Sequence, residues 1–259
     1  MHASRFNIDS LPLLSSALAN LIKHSTIAPM NAFSRRLNVF LYGIYAGLAI
    51  ALGGILFLLC KAYIPDYSFS LSQLIGALVF PVGLLLVCFL KLNLYTGKIG
   101  MAFRNKKLDK KGLNVFEWLL WILLGNAVGA FALGFAVYGL TFIDTHNAFS
   151  QAVFAAGKAR DIAFDFDGCF GMALRSVLCG GLVYAAIYFF NRLPNTFGKV
   201  LGIIVPIAFF VYAGFQHCIA NMFYIASSGT WTLHSFVGLL ICIGGNSVGA
   251  LVLDLFVKW

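Results

Sequence analysis

Long apolar runs, interrupted mainly by glycine and other small residues, dominate the chain from residue 39 onward. Six of them reach about the 20 residues that a helix needs to cross a hydrocarbon core. They cover about 39–60, 71–103 with an interruption, 115–140, 170–190, 199–225 with an interruption, and 233–257. Apolar positions are continuous within each run, which predicts helices rather than the short alternating strands of a membrane barrel. Ahead of them, "DSLPLLSSALANLIKHS" has a different rhythm. Leu14, Leu18, Leu21 and Ile22 share one helical face, Asp9 or Ser10 serves as a cap, and Pro12 falls in the first turn. That spacing predicts an amphipathic helix lying on a membrane surface. The expected organisation is therefore a cytoplasmic N-terminal segment, residues 1–38, followed by a six-span all-α transmembrane domain, residues 39–259. The first 38 residues lack an apolar core followed by a small-residue cleavage site, so no removable leader is expected.

The pattern repeats. "GNAVGA" (125–130) in the third run matches "GNSVGA" (245–250) in the sixth at five of six positions, and each sets an Asn beside a small-xxx-small pair that lets helices approach closely. The second and fifth runs correspond too. Pro81 stands about 15 residues before Thr96, and Pro206 about 15 before Asn221; in both, an apolar helix is expected to open after Pro and run into a polar cluster. Two halves of three spans insert with opposite orientation, so the expected architecture is a 3+3 inverted repeat with broken second and fifth helices. Backbone freed at such breaks is tolerated only inside protein or along a water-filled path. The polar residues of "GFQHCIANMFYIA" (214–226) therefore mark a translocation pathway.

Composition and charge narrow the class. The chain is 61% hydrophobic and 10% charged, against about 25% charged residues in soluble domains, so its partner is a lipid bilayer. The net charge of +9 is not a nucleic-acid footprint, because it is segregated by side. Arg5, Lys23, Arg35, Arg36, Arg104, Lys106, Lys107, Lys110, Lys111, Arg192, Lys199 and Lys258 fall on one side of the six runs. The opposite loops hold Lys61, Lys158 and Arg160 with Asp66, Asp144, Asp161, Asp165 and Asp167. The positive-inside rule then puts both termini in the cytoplasm. Six cysteines (60, 88, 169, 179, 218, 242) without ligand spacing read as buried small side chains, neither disulfides nor a metal site. No metal constellation, paired carboxylates or phosphate-binding glycine loop occurs within the runs, so neither an enzyme nor a cofactor is expected.

At the interrupted runs the sequence resembles the formate/nitrite transporter family. "PVGLLLVCFLKLNLYTGK" is similar to that family's second-span loop, and "GFQHCIANMFYI" to its fifth-span string Gly-Phe-Glu-His-x-x-Ala-Asn-Met-Phe; the paired Gly-Asn motifs fit as well. The resemblance covers about residues 10–257. It implies an aquaporin-like fold in an inner-membrane homopentamer whose protomers each hold a pore for small inorganic or carboxylate anions: formate, nitrite, hydrosulfide, acetate or lactate. It further implies that Leu94, Tyr95 and Thr96 form the second-span loop. Phe80, Tyr95 and Phe210 would line the outer constriction, Leu84 and Leu94 the cytoplasmic one, and His217 would be the pore histidine close to Thr96. Four positions depart from the pattern: Asn93 and Gln216 replace acids, Lys91 replaces a small residue, and Gly180 replaces a common Asn.

The expected chemistry follows from the cost of a bare anion in low dielectric, which a cation offsets or protonation removes. His217 can serve both routes, since imidazole titrates near pH 6.5. Thr96 would hold its ring, and Thr96 and Asn221 also have the chemistry to cap half-helices. Asn126 and Asn246, with Asn93 and Gln216, are expected to support the loops. Lys91, Arg175, Lys158 and Arg160 are candidate anion-attracting charges, though Lys91 can equally snorkel to headgroups. A pore for small neutral solutes is the alternative. The aquaporins that exemplify it carry Asn-Pro-Ala at both breaks, a triplet missing from both interruptions here.

Overall fold

The computed structural model describes residues 31–66, 70–102 and 112–257. The amphipathic helix expected near the N-terminus lies outside the described residues, as do most of the basic residues behind the orientation argument. All regular structure among the described residues is helical. In chain order the helices are α1 (Ala32–Tyr63), α2 (Leu71–Val79), α3 (Val82–Phe89), α4 (Tyr95–Ala102) and α5 (Val115–Ile143). They continue with α6 (Ala148–Lys158), α7 (Phe166–Arg192), α8 (Thr196–Tyr212), α9 (Cys218–Ser228) and α10 (Leu233–Phe256). Five stretches are long and apolar enough to span a bilayer: α1, α2 with α3, α5, α7 and α10. α8 and α9 are shorter and apolar.

Polar residues set the helix starts. Asn31, Asn114, Asn147 and Asn195 cap α1, α5, α6 and α8, each side-chain oxygen accepting a backbone N–H three residues on. Asp165 does the same for α7, and Thr232 with Ser235 forms a capping box at α10. The Asn195 cap corrects one expectation. Helix α8 opens at Thr196 and passes straight through Pro206, instead of opening after it. Pro81 lies at a true interruption, between α2 and α3. The two prolines are therefore not equivalent. One missing N–H is tolerated inside an otherwise continuous apolar helix that starts on a strong cap.

The repeated Gly-Asn motifs sit where helices touch backbone to backbone. A Cβ on Gly129 of α5 would lie 2.1 Å from Ile44 O of α1, and one on Gly249 of α10 would lie 1.9 Å from Val177 O of α7. Only hydrogen fits at either contact, so the motif positions build two matching helix pairs. The Asn of each motif, buried completely at 126 and 246, is thereby driven into the centre. Helix α9 is the most enclosed element: every residue from Cys218 to Ser227 is buried. It packs against α5, α6, α1 and α10, while α4 packs against α10, α5 and α7.

The short helix α6 was not anticipated, because residues 141–169 read as an outer loop. Its signals were local: an Asn147 cap, then a small apolar run ending at Lys158.

Candidate translocation site

Two helix starts converge at the centre, and each is held by a motif asparagine. Asn126 Oδ1 accepts the Tyr95 N–H at 2.8 Å, while its amide donates to Asn93 O at 2.8 Å and to Gly43 O of α1 at 2.9 Å. Asn246 Oδ1 accepts the Cys218 N–H at 2.9 Å, and its amide donates to Gln216 O and to Ser176 O of α7, both at 2.8 Å. Each Asn thus satisfies an orphan donor at the start of α4 or α9 and a carbonyl two residues before it. Both are occupied by backbone.

The segments leading into these starts match as well. Gly214 takes a φ of 71° after α8, and Phe215 N–H reaches back to Phe210 O at 2.9 Å. Lys91 takes a φ of 55° after α3, and Leu92 N–H reaches back to Val87 O at 2.8 Å. Both are left-handed helix terminations that favour glycine. This explains why a small residue belongs at 91: the lysine there occupies the backbone conformation that Gly214 adopts freely. The same register aligns Asn93 with Gln216, Leu94 with His217 and Tyr95 with Cys218, so Thr96 stands opposite Ile219 in the repeat, not opposite Asn221 as the proline spacing suggests.

His217 caps α9 with its ring: Nδ1 accepts the Ala220 N–H at 3.2 Å. The opposite nitrogen, Nε2, lies 3.0 Å from Thr96 Oγ1. With Nδ1 accepting, the neutral ring carries its proton on Nε2 and donates to Thr96, leaving the threonine hydroxyl hydrogen free. Phe210 lies beside the imidazole, centroids 6.1 Å apart and nearly parallel, and Phe80 meets Phe210 edge-on at 5.9 Å.

These three rings separate two cavities. A large one of about 750 Å³ is lined by His217, Phe80, Phe210, Gln216, Asn221, Arg160 and Arg175 among others. A small one of about 10 Å³ lies beyond, lined by Leu84, Leu94, Ile50, Val183 and Ile207 as well as Phe80, Phe210 and His217. Asn221 bridges toward charge: its amide donates to Gln216 Oε1 at 3.0 Å, and its Oδ1 accepts from Arg160 Nε at 3.2 Å. Arg160 also donates to Ala156 O at 2.7 Å, and its guanidinium lies 4.2 Å over the Tyr224 ring.

Other candidates lie apart from the two cavities. Tyr95 lines neither; its hydroxyl meets Ser247 Oγ at 2.9 Å. Lys158 is exposed at the end of α6, and Lys91 is exposed behind α3. Sequence reasoning passed over Lys61 and Gln73 of the large cavity, Tyr224 beneath Arg160, and the aliphatic trio Ile50, Val183 and Ile207. Tyr224 alone left a trace, two turns after His217 on the same helix; apolar residues inside apolar helices leave none.

One loop outside the spans is tied by an acid. Asp66 accepts the Ser72 N–H at 2.8 Å and lies 3.2 Å from Ser70 Oγ. Its carboxyl is held below the ordinary value, chiefly by that backbone bond and then by the Ser72 hydroxyl.

A helical membrane protein in which two helix starts meet at a buried histidine, one that lines both a wide cavity with cationic groups and a narrow apolar one, is of the transporter or channel class. The sequence profile described as Formate/nitrite transporter matches residues 20–259, and the chain belongs to that family. It is 33% identical over 223 residues to the uncharacterized transporter YrhG of Bacillus subtilis, covering 83% of this chain and 81% of that one. The formate channel BtFdhC of Bacillus thuringiensis is 32% identical over 225 residues, with 82% of each chain covered. In fold it is similar to a pentameric formate channel solved with formate bound, with a TM-score of 0.69 at 23% identity, over 88% of this chain and 96% of that one.

Proposed function

We propose that the chain is a channel or transporter for small monovalent anions of weak acids, formate foremost. The observation that carries the reading is His217, which lines both cavities together with Phe80 and Phe210 and whose Nε2 lies 3.0 Å from Thr96 Oγ1. Formate is favoured because BtFdhC is a formate channel. Nitrite, hydrosulfide, acetate and lactate belong to the same chemical class.

Six crossings in a 3+3 inverted repeat fit the helix order: α1, α2 to α4, α5, then α7, α8 with α9, α10. The matched bonding of Asn126 and Asn246 supports that symmetry. Basic residues at the N-terminus and in the 103–111 loop support cytoplasmic termini in an inner membrane. A homopentamer is the assembly named for the solved relative.

In this mechanism anions collect in the large cavity under the attraction of Arg160 and Arg175. At its floor the anion meets the imidazole of His217, whose Nε2 is bonded to the buried Thr96 hydroxyl behind it. A neutral His217 offers hydrogen bonding only. A proton passes from the imidazolium, whose second proton must sit on Nδ1 and so displaces the bond from Ala220 N–H. The resulting neutral acid crosses the aliphatic cavity, where a charge is expensive, and ionises on the far side.

The test is a proteoliposome flux panel of formate, acetate, lactate, nitrite and hydrosulfide at several pH values, with water and glycerol swelling alongside. Saturable formate flux well above protein-free liposomes supports the reading. Swelling with glycerol and no anion flux would establish a neutral-solute pore instead.

A further inference from the structure

The large cavity is out of proportion to the passage beneath it. Its volume of about 750 Å³ lies inside the roughly 300–1,000 Å³ range of sites that enclose a drug-sized molecule. The small cavity, at about 10 Å³, has room for about one water. A mouth serving only anions as small as formate needs no such volume.

Its lining is also particular. Lys61, Arg160 and Arg175 face it, and among the described residues none that lines it is an acid. Lys61 is partly offset, donating to Ser72 Oγ at 2.8 Å and lying 3.8 Å from Asp66. Arg160 is not offset in that way: among the described residues its side chain contacts an amide oxygen, a backbone carbonyl and an aromatic face, all formally neutral. Gln216 stands where the resembled family usually has an acid, so the Asn221–Arg160 chain ends on an amide where a carboxylate would have answered the guanidinium. The remaining walls are apolar. Phe57, Phe80, Phe210 and Phe215 form flat surfaces, and the alanine face of α6 keeps the space between them open.

Cationic donors over aromatic walls, in a chamber closed below by a one-water passage, define an amphipathic anion. We propose that the large cavity binds aromatic monocarboxylates, whose carboxylate engages Arg160 and Arg175 and whose ring packs on the phenylalanine walls. Such a molecule is too wide for the small cavity and therefore plugs it. The plugging rests on the cavity being the pore mouth proposed above; the binding does not.

Calorimetry on the purified full chain in detergent at pH 7.5 tests the site, with benzoate as probe, acetate as a carboxylate without a ring, and benzyl alcohol as a ring without charge. Benzoate is expected to bind saturably and at least tenfold more tightly than either control. Arg160→Gln should weaken it tenfold or more. Gln216→Glu, which supplies an internal carboxylate to the same network, should do so in a protein of unchanged oligomeric size. Equal heats for benzoate and benzyl alcohol would reveal partition into detergent and overturn the proposal, as would benzoate binding unaltered in both variants. A proteoliposome arm separates the two readings. Formate flux that falls as external benzoate saturates supports plugging. Confirmed benzoate binding with undiminished formate flux would remove the cavity from the pathway, and confirmed binding by a chain that passes no formate would sink the transport reading while leaving the site in place.

Discussion

Replacing Asn246 with leucine removes one side chain of similar size and three hydrogen bonds, to the Cys218 N–H and to the Ser176 and Gln216 carbonyls at 2.8–2.9 Å. All partners are buried backbone groups. At about 0.6 kcal/mol per bond, the mean for bonds between membrane helices, the loss is about 2 kcal/mol. At about 1 kcal/mol per bond, with the Cys218 N–H left unsatisfied, it approaches about 4 kcal/mol. For a chain of this size that is a fall in Tm of roughly 4–16 °C. Thermal unfolding of the detergent-solubilised protein, followed by tryptophan fluorescence, reads it directly. Asn246→Asp is the discriminating companion: it keeps the acceptor for Cys218 N–H but loses both donors, so it should remain well short of the parent. Because Asn126 makes the mirrored set of bonds, Asn126→Leu should fall by a similar amount. A melting point within 1 °C of the parent for both leucine variants would refute the claim that these residues hold the helix starts.

Other consequences are read more simply. Lys91→Gly should raise Tm by a few degrees, since a non-glycine residue at a φ of 55° costs about 1 kcal/mol or more; an unchanged or lower Tm contradicts the strain argument. Gly180→Asn should destabilise the protein by at least 1 kcal/mol or about that, because a Cβ there would lie 2.1 Å from Asn246 O; normal yield and melting would show that α7 and α10 can part. Thr96→Val, which deletes the hydroxyl 3.0 Å from His217 Nε2, should lower formate flux at least several-fold; flux equal to the parent's would contradict a role for the pair. Asp66 has its folded pKa lowered, so its contribution to stability is present above the unfolded value of about 3.9 and fades as pH drops through the folded one. The gap in Tm between the parent and Asp66→Asn should therefore be visible at pH 6 and close under strong acid; a gap independent of pH would contradict the sign.

What the sequence disclosed depended on whether the physics was periodic. Long apolar runs announced the helices because hydrocarbon demands length, and the Gly-Asn motifs announced close packing because only small residues permit it. The His217 neighbourhood stood out because polar groups inside apolar segments need a reason. The alignment of Leu94 with His217 was hidden, since proline spacing points two residues further on and the true register is written in backbone bonds. Helix α6 was hidden because its alanines look like loop filler until they are seen as a cavity wall. Tyr95 reads as a pore residue by resemblance, yet its hydroxyl is turned to Ser247, a direction that no local pattern records. Arg160 was visible as a charge, but its seat on Tyr224 and Asn221 joins residues that lie more than sixty positions apart.

The most direct measurement of the central claim is formate flux into proteoliposomes across pH 5–8, in parent protein and in His217→Asn. The account predicts formate flux that rises steeply as pH falls in the parent, and a flattened profile in the variant. Superimposable profiles would contradict it, whatever their absolute rates.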